Sequence, residues 1–494
     1  MRAMTRTTLA FTVAWVHLAA SANAQSADKI VDRYINAVGG KHALEKIVSA
    51  SITGTVTLAD GRSGTFVQET KRPNRLHIGM AWGDGRWSSG FNGRSAWQDD
   101  QRDGLRTLMG RPAANVRAEA AYANRDVLIA DGERRRLTLV GKDEVRGRPV
   151  FVVDVMTLDV FQRTLFFDAE TYLLLKEQHA TEAGSETRVF GDYRRVGEVM
   201  EPHRIEWNRG NDNVVITVGR VSHNITVDER EFDFPRSPTA PPIDVAELMS
   251  SVARNHEKRE AVLASYAYTE TTTTKDLDQS GRVTKESVLV SEIFYAGGRV
   301  VRKLVKRNGE ELPDDEKRRE QKRVDGIVRD YLQHPTKNVL GPGQSLTMDF
   351  TMSAYLRVWD FTNPRREQVL GITAFVFDVQ PKLDVQPRND FERQLRARAG
   401  TFWIDERAQQ IIRSDTYATD AFSTLVLAGS WSGGEQTLVN NEVWLPSYNE
   451  SYRSARFGLK FVDKRWYHRT TTQYSDYRKF SVESDYKITL PETK

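Results

Sequence analysis

Nucleophiles, acids and metal ligands are present in this chain but never at a spacing that makes a known site. The nine His stand at 17, 42, 77, 179, 203, 223, 256, 334 and 468, no two closer than twenty positions, so no helical or hairpin metal pair is written locally. Gly429-Ser-Trp-Ser432-Gly resembles a nucleophile elbow but has the wrong spacing, and Ser26-Ala-Asp-Lys29 fits S-x-x-K without the partner motifs that chemistry needs. Asp99-Asp100 and Asp314-Asp315 fall where turns and helix caps use carboxylates. With no Cys at all, disulfides, thiolate catalysis and Cys-based zinc sites are excluded. The residues therefore predict neither an enzyme nor a metal or cofactor site.

Aromatic residues are the other chemistry on offer: 10 Trp, 16 Tyr and 21 Phe. The stretch Gly83 to Trp97 holds Trp87, Phe91 and Trp97 among four Gly, and Gly83-x-Gly85 is followed by Ser88, which rules out a phosphate loop. Asn92-Gly93 predicts a two-residue hairpin turn between strands Arg86–Phe91 and Arg94–Gln98, with Phe91 opposite Arg94, Ser89 opposite Ala96 and Trp87 opposite Gln98. Trp87 and Phe91 then share one face and Trp97 takes the other, so both faces should be covered, and the three rings are candidate contacts for an apolar ligand.

The elements around this hairpin read mainly as strand. Runs such as Ala50–Leu58, Gly64–Glu69, Arg75–Met80, Val214–Val221, Val288–Tyr295 and Arg299–Val305 alternate or are apolar between Gly, Asn and Asp. Helical spacing occurs at Ile30, Tyr34 and Val38, interrupted by Gly39-Gly40 before Leu44 and Ile47, and again at Val245, Leu248, Met249 and Val252. Two further helices are predicted, within Ala113–Asp131 and across 314–332, the second with a charged start and with Val324, Ile327, Val328, Tyr331 and Leu332 on one face.

Four Pro between Pro235 and Pro242 predict a stiff linker, and the segments on its two sides share a pattern. Gly147-x-x-x-Phe-Val-x-Asp-Val155 matches Gly371-x-x-x-Phe-Val-x-Asp-Val379, Phe166-Phe-Asp168 matches Trp403-Ile-Asp405, and Glu198 to Pro202 matches Glu442 to Pro446. Conserved order with slowly growing offsets predicts a duplicated β domain, at 25–234 and 244–494, joined by 235–243.

Arg2 and Arg6, the apolar run Leu9–Ala20 and Ala22-Asn-Ala24 have the form of a cleaved export leader, residues 1–24. Without those two Arg, the 71 basic residues fall to 69 against 67 acidic ones, which leaves no basic face for nucleic acid. No later segment is apolar over the ~18 residues a membrane span needs, so a location outside the cytoplasm, in the periplasm or beyond, is expected.

The order Ile30–Val38, Gly39-Gly40, Leu44-x-x-Ile47, Arg72-Pro-Asn-Arg75, Phe91-Asn-Gly-x-x-Ala-Trp97 and Gly147-x-x-x-Phe-Val-Val-Asp resembles the periplasmic outer-membrane lipoprotein-sorting (LolA/LolB-like) superfamily over residues 26–236, and through the internal repeat over 244–490. The resemblance implies a mainly β (α+β) chain of two tandem, helix-capped, incompletely closed antiparallel β-barrels, each around an apolar cavity for the acyl chains of lipids or lipoproteins. It implies no cofactor, and no residue role is carried over from it. Two other functions fit the residues: a cell-envelope scaffold that binds a protein partner, and a hydrolase with a dispersed site.

Overall fold

Short alternating runs punctuated by Gly and Asn leave the chain little choice but strands joined by tight turns. The computed structural model describes residues 26–129, 135–157, 162–181, 184–210, 212–235, 243–278, 281–334, 352–420, 426–457 and 464–479, so the expected leader and nearly all of the Pro-rich run lie outside the described residues.

The first sheet contains β1 (Ser49–Leu58), β2 (Ser63–Lys71), β3 (Arg75–Trp82), β4 (Gly85–Phe91), β5 (Ala96–Asp100), β6 (Arg106–Thr107), β7 (Arg135–Val145), β8 (Arg148–Thr157), β9 (Gln162–Asp168), β10 (Leu174–Thr181), β11 (Gly184–Val196), β12 (Val199–Arg209) and β13 (Asp212–His223). The second contains β14 (Tyr266–Leu277), β15 (Val283–Ala296), β16 (Arg299–Arg307), β17 (Glu310–Glu311), β18 (Trp359–Val369), β19 (Ile372–Pro381), β20 (Arg398–Asp405), β21 (Ile411–Ala418), β22 (Trp431–Val439), β23 (Val443–Phe457) and β24 (Lys464–Lys479). The helices are α1 (Ala27–Ala37), α2 (Lys41–Glu45), α3 (Gly110–Ala123), α4 (Asp126–Ile129), α5 (Val245–Leu263), α6 (Asp314–Gln333), α7 (Met352–Val358) and α8 (Asp390–Arg396).

Both sheets follow one plan. The first strand pairs with the last, Val56 opposite Ile216 in one sheet and Thr272 opposite Thr472 in the other, and two meanders run outward from that seam. The outermost strands, β6 and β7 in the first sheet and β17 and β18 in the second, do not pair with each other, so neither sheet closes into a barrel. The chain crosses from one edge to the other through helices, α3 and α4 in the first half and α6 and α7 in the second. This is the helix-covered, incompletely closed antiparallel architecture that the sequence resemblance implies.

The residues that match between halves occupy matching places. Val150 stands opposite Asp168 and Ala374 opposite Asp405. Asp168 Oδ1 accepts from the N–H groups of Glu170 and Thr171 (3.2 and 2.7 Å), and Asp405 Oδ1 from those of Arg407 and Ala408 (2.8 and 3.1 Å). Each Asp closes the turn after its strand by the same side-chain capping.

Ser26 starts α1 as its N-cap, its Oγ accepting from the Lys29 N–H at 3.3 Å. Ala27, Ile30, Val31 and Ile35 of α1 then bury against Phe151, Val153, Leu165 and Phe167. Along α6, Val324 is buried while Leu332, at the end of the expected apolar stripe, is 60% exposed.

Helix α3 belongs to both halves. Its Ala113, Ala114 and Ala120 share one core with Phe66, Ile78, Met80 and Phe91 of the first sheet and with Tyr417, Trp431 and Tyr452 of the second. Alanine is small enough to let sheets approach a helix from two sides. At ~25 cal/mol per Å² of apolar surface, this shared core is a large part of what holds the halves together.

Candidate functional site

The strand pairing that forms the hairpin of Trp87, Phe91 and Trp97 differs from expectation by two positions: Phe91 pairs with Ala96, Ser89 with Gln98 and Trp87 with Asp100. Asn92 is the reason. Its Oδ1 accepts from the N–H groups of Arg94 and Ser95, both at 2.9 Å, closing a loop of residues 92–95 in place of a two-residue turn. A shift of two keeps every side chain on its face. Phe91, 1% exposed, enters the shared core 6.2 Å from Tyr417. Trp97, also 1% exposed, faces the other way and donates from Nε1 to the Phe232 carbonyl at 2.9 Å. Trp87 stays partly exposed, edge-on to Trp207 at 5.6 Å with the Arg209 guanidinium 3.8 Å over its ring, and its buried Nε1 has no hydrogen-bond partner among the described residues.

None of the three lines the hollow of the first half, a space of about 170 Å³ beneath α1 to α4. Tyr34, Leu44, Phe66, Ile205 and Trp207 supply apolar wall, but Glu119, Arg125, Glu177, Arg188 and Glu201 line it too. Arg163, fully buried, pairs with both Glu119 and Glu177 and lies 4.0 Å over Tyr122. Arg188 Nη1 donates to Glu119 Oε1 at 2.6 Å and Glu177 Oε1 at 3.1 Å. Glu201 binds Arg125 and, at 2.8 Å, His223 Nε2. Burial pushes the Glu119 carboxyl up, but Arg163 and Arg188 outweigh it and hold the group well below the usual carboxylate range. Burial and Arg163 push His179 down to about 4.

An acyl chain in this hollow would lie against ionised groups already stripped of most of their water, with no gain to offset that loss. The hollow expected in the first half is thus present with a mostly apolar wall, but five charged side chains interrupt it. The charges come from several elements: Glu119 from α3, Arg125 from the turn after it, Glu177 from β10, Arg188 from β11 and Glu201 from β12.

The second hollow, about 240 Å³, is different. Met249 and Val252 of α5, Tyr355 of α7, and Phe361, Phe402 and Ile411 of the sheet wall it, and His256, Arg259, Gln410, Ser414 and Gln436 stand at its polar side. Burial pushes the Tyr355 phenol up, as expected of a hydroxyl held in an apolar setting.

Between the halves lies a polar lock that the sequence does not announce. Asn92 Nδ2 donates to Asp233 Oδ1 at 2.8 Å and to Asp378 Oδ2 at 2.9 Å. Arg365 Nη1 donates to Asp378 Oδ1 at 2.9 Å, and its Nε to Glu367 Oε1 at 2.8 Å. Glu367 accepts the Thr107 N–H at 3.0 Å. Tyr417 donates to the Gly93 carbonyl at 2.6 Å and carries the Arg117 guanidinium 4.1 Å over its ring. Asp415 Oδ1 accepts the Gly110 N–H at 2.8 Å, and burial pushes its carboxyl up to about 6 against the pull of Arg117. A larger groove between the halves, about 530 Å³, holds His179 and Ser185, but Ser185 Oγ is bonded to Gln178 Nε2 and to the His179 carbonyl, an arrangement with no activated nucleophile.

No known family's sequence profile matches the chain, and no curated protein matches it. Among solved structures, a LolA superfamily protein from Nitrosomonas europaea is 12% identical, the match covering 43% of this chain and 99% of that one with a TM-score of 0.30. A putative outer membrane lipoprotein-sorting protein domain from Vibrio parahaemolyticus is 10% identical, with 42% and 95% covered and a TM-score of 0.29. The MucA/MucB complex of Pseudomonas aeruginosa matches 91% of this chain and 99% of that one at 10% identity, with a TM-score of 0.18. These are likenesses at low identity, and the chain's own hollows carry the functional conclusion.

Proposed function

We propose that the chain is an exported, non-catalytic carrier that holds the acyl chain of a lipid or lipoprotein, and that its ligand site is the hollow of the second half. The supporting observation is the contrast between the hollows. The first is lined by the charged side chains of Glu119, Arg125, Glu177, Arg188 and Glu201, whereas in the second Arg259 and His256 are the charge-bearing types, and its 240 Å³ exceeds the ~150 Å³ of an engineered apolar cavity that binds benzene. Each buried CH₂ contributes ~0.8 kcal/mol, so a chain of ordinary length offsets the cost of association without any catalytic group. The Arg259 and His256 side of the hollow suits an acidic headgroup. The leader-like residues 1–24 support a periplasmic or secreted location. Of the three hairpin rings, Trp87 alone retains a surface for a ligand, and Phe91 and Trp97 serve by packing.

Native mass spectrometry of freshly purified protein should show copurified lipid, and delipidated protein should take up a fluorescent fatty acid. Loss of both signals would leave the second reading, an envelope scaffold for a protein partner. That reading is favoured by the paired charges that line the first hollow.

A further inference from the structure

Three ligand-type side chains far apart in sequence meet on the outer face of the first sheet. Glu69 of β2 stands opposite His77 of β3, and Glu231 arrives from the one-turn helix Glu229–Phe232 that follows the last strand. One carboxylate oxygen from each Glu and a ring nitrogen of His77 lie within 4.8 Å of one another. The local cations are committed elsewhere, since Lys71 and Arg75 both pair with Glu229. Among the described residues neither Glu69 nor Glu231 has an ion pair, and His77 Nδ1 is buried without a hydrogen-bond partner.

The surrounding residues hold this geometry. His77, Gly90 and Trp97 are neighbours in one row across β3, β4 and β5. The absent side chain at Gly90 leaves room for the Trp97 ring, which lies over it and sits 5.6 Å from the His77 ring. Trp97 in turn fixes the Phe232 carbonyl, one residue from Glu231. Two facing carboxylates with a neutral imidazole and no cation repel one another, and a divalent ion would remove that repulsion.

We propose that Glu69, His77 and Glu231 form a binding site for a divalent transition-metal ion, which clamps the end of the first half onto its sheet. The donor set fits zinc or manganese, whose remaining positions water would fill; imidazole disfavours calcium and magnesium.

The test uses the untagged full chain and Zn²⁺ in competition with a chromophoric chelator, together with thermal melting at rising Zn²⁺. The expected result is one equivalent bound, a melting temperature that climbs with Zn²⁺, and a loss of affinity of about tenfold or more in both His77→Ala and Glu231→Gln. Glu231 is exposed, so E231Q should fold as the parent does even where H77A fails to. Absence of binding, or E231Q binding Zn²⁺ as tightly as the parent, would overturn the site.

Discussion

Asn92 and Asp378, 286 positions apart, meet in a 2.9 Å hydrogen bond that ties a loop of the first sheet to a strand of the second. Asp378 is wholly buried and also faces the buried Arg365. Asp378→Ala should cost about 3–5 kcal/mol because it strips a buried guanidinium of a partner, whereas Asn92→Ala should cost about 1–3 kcal/mol. Urea unfolding followed by Trp emission checks this, and separation of the single transition into two would show that the halves had come apart.

Filling the second hollow should abolish ligand uptake without unfolding the protein. Val252→Trp places an indole where Val252 and Met249 now border empty space, and fatty-acid affinity should fall by at least about tenfold. Glu119→Gln, in the first hollow, should lower the melting temperature yet leave affinity unchanged. Loss of affinity in Glu119→Gln with none in Val252→Trp would move the ligand to the first half.

Two buried groups pull the pH dependence of stability in opposite directions. His179 titrates near 6.5 unfolded and about 4 folded, so between those values the unfolded chain holds the extra proton and stability drops as pH falls, by up to roughly 3 kcal/mol. Asp415 goes from 3.8 unfolded to about 6 folded, so the folded state holds the extra proton and stability drops as pH rises through that window. Denaturation between pH 4 and 7 should therefore show a steeper acid loss in Asp415→Asn and a shallower one in His179→Gln. A His179→Gln profile that overlays the parent would refute the first assignment.

Gly90→Ala should destabilise by about 1–3 kcal/mol, because its Cβ would lie 2.5 Å from the Trp97 ring. Melting measures the loss, and a red shift of tryptophan emission would show the ring displaced.

Strand content, the opening helices and the faces of the Trp87 hairpin were legible because alternation and helical spacing are local properties. The hairpin register was misjudged because Asn92 works through its side chain, and Asn-Gly reads the same in either loop. The ionised first hollow was hidden for a deeper reason. Alternation in Lys176-Glu177-Gln178 or Thr187-Arg188 separates two faces but does not say which one meets water. Opposite charges at 119, 163, 177 and 188 reveal themselves as partners only after folding. The Glu69, His77 and Glu231 cluster escaped for the same reason, since its members come from positions up to 162 apart.

Because α3 lies against aromatic residues from both sheets, cutting the chain at its Pro-rich run would not free two working modules. A fragment starting at residue 243 would turn Tyr417, Trp431 and Tyr452 out to solvent as a sticky oily patch, while its sister would keep a helix with one side bare. Whatever ancestry the two halves share, each has become the other's chaperone, and the inheritable unit is now the pair.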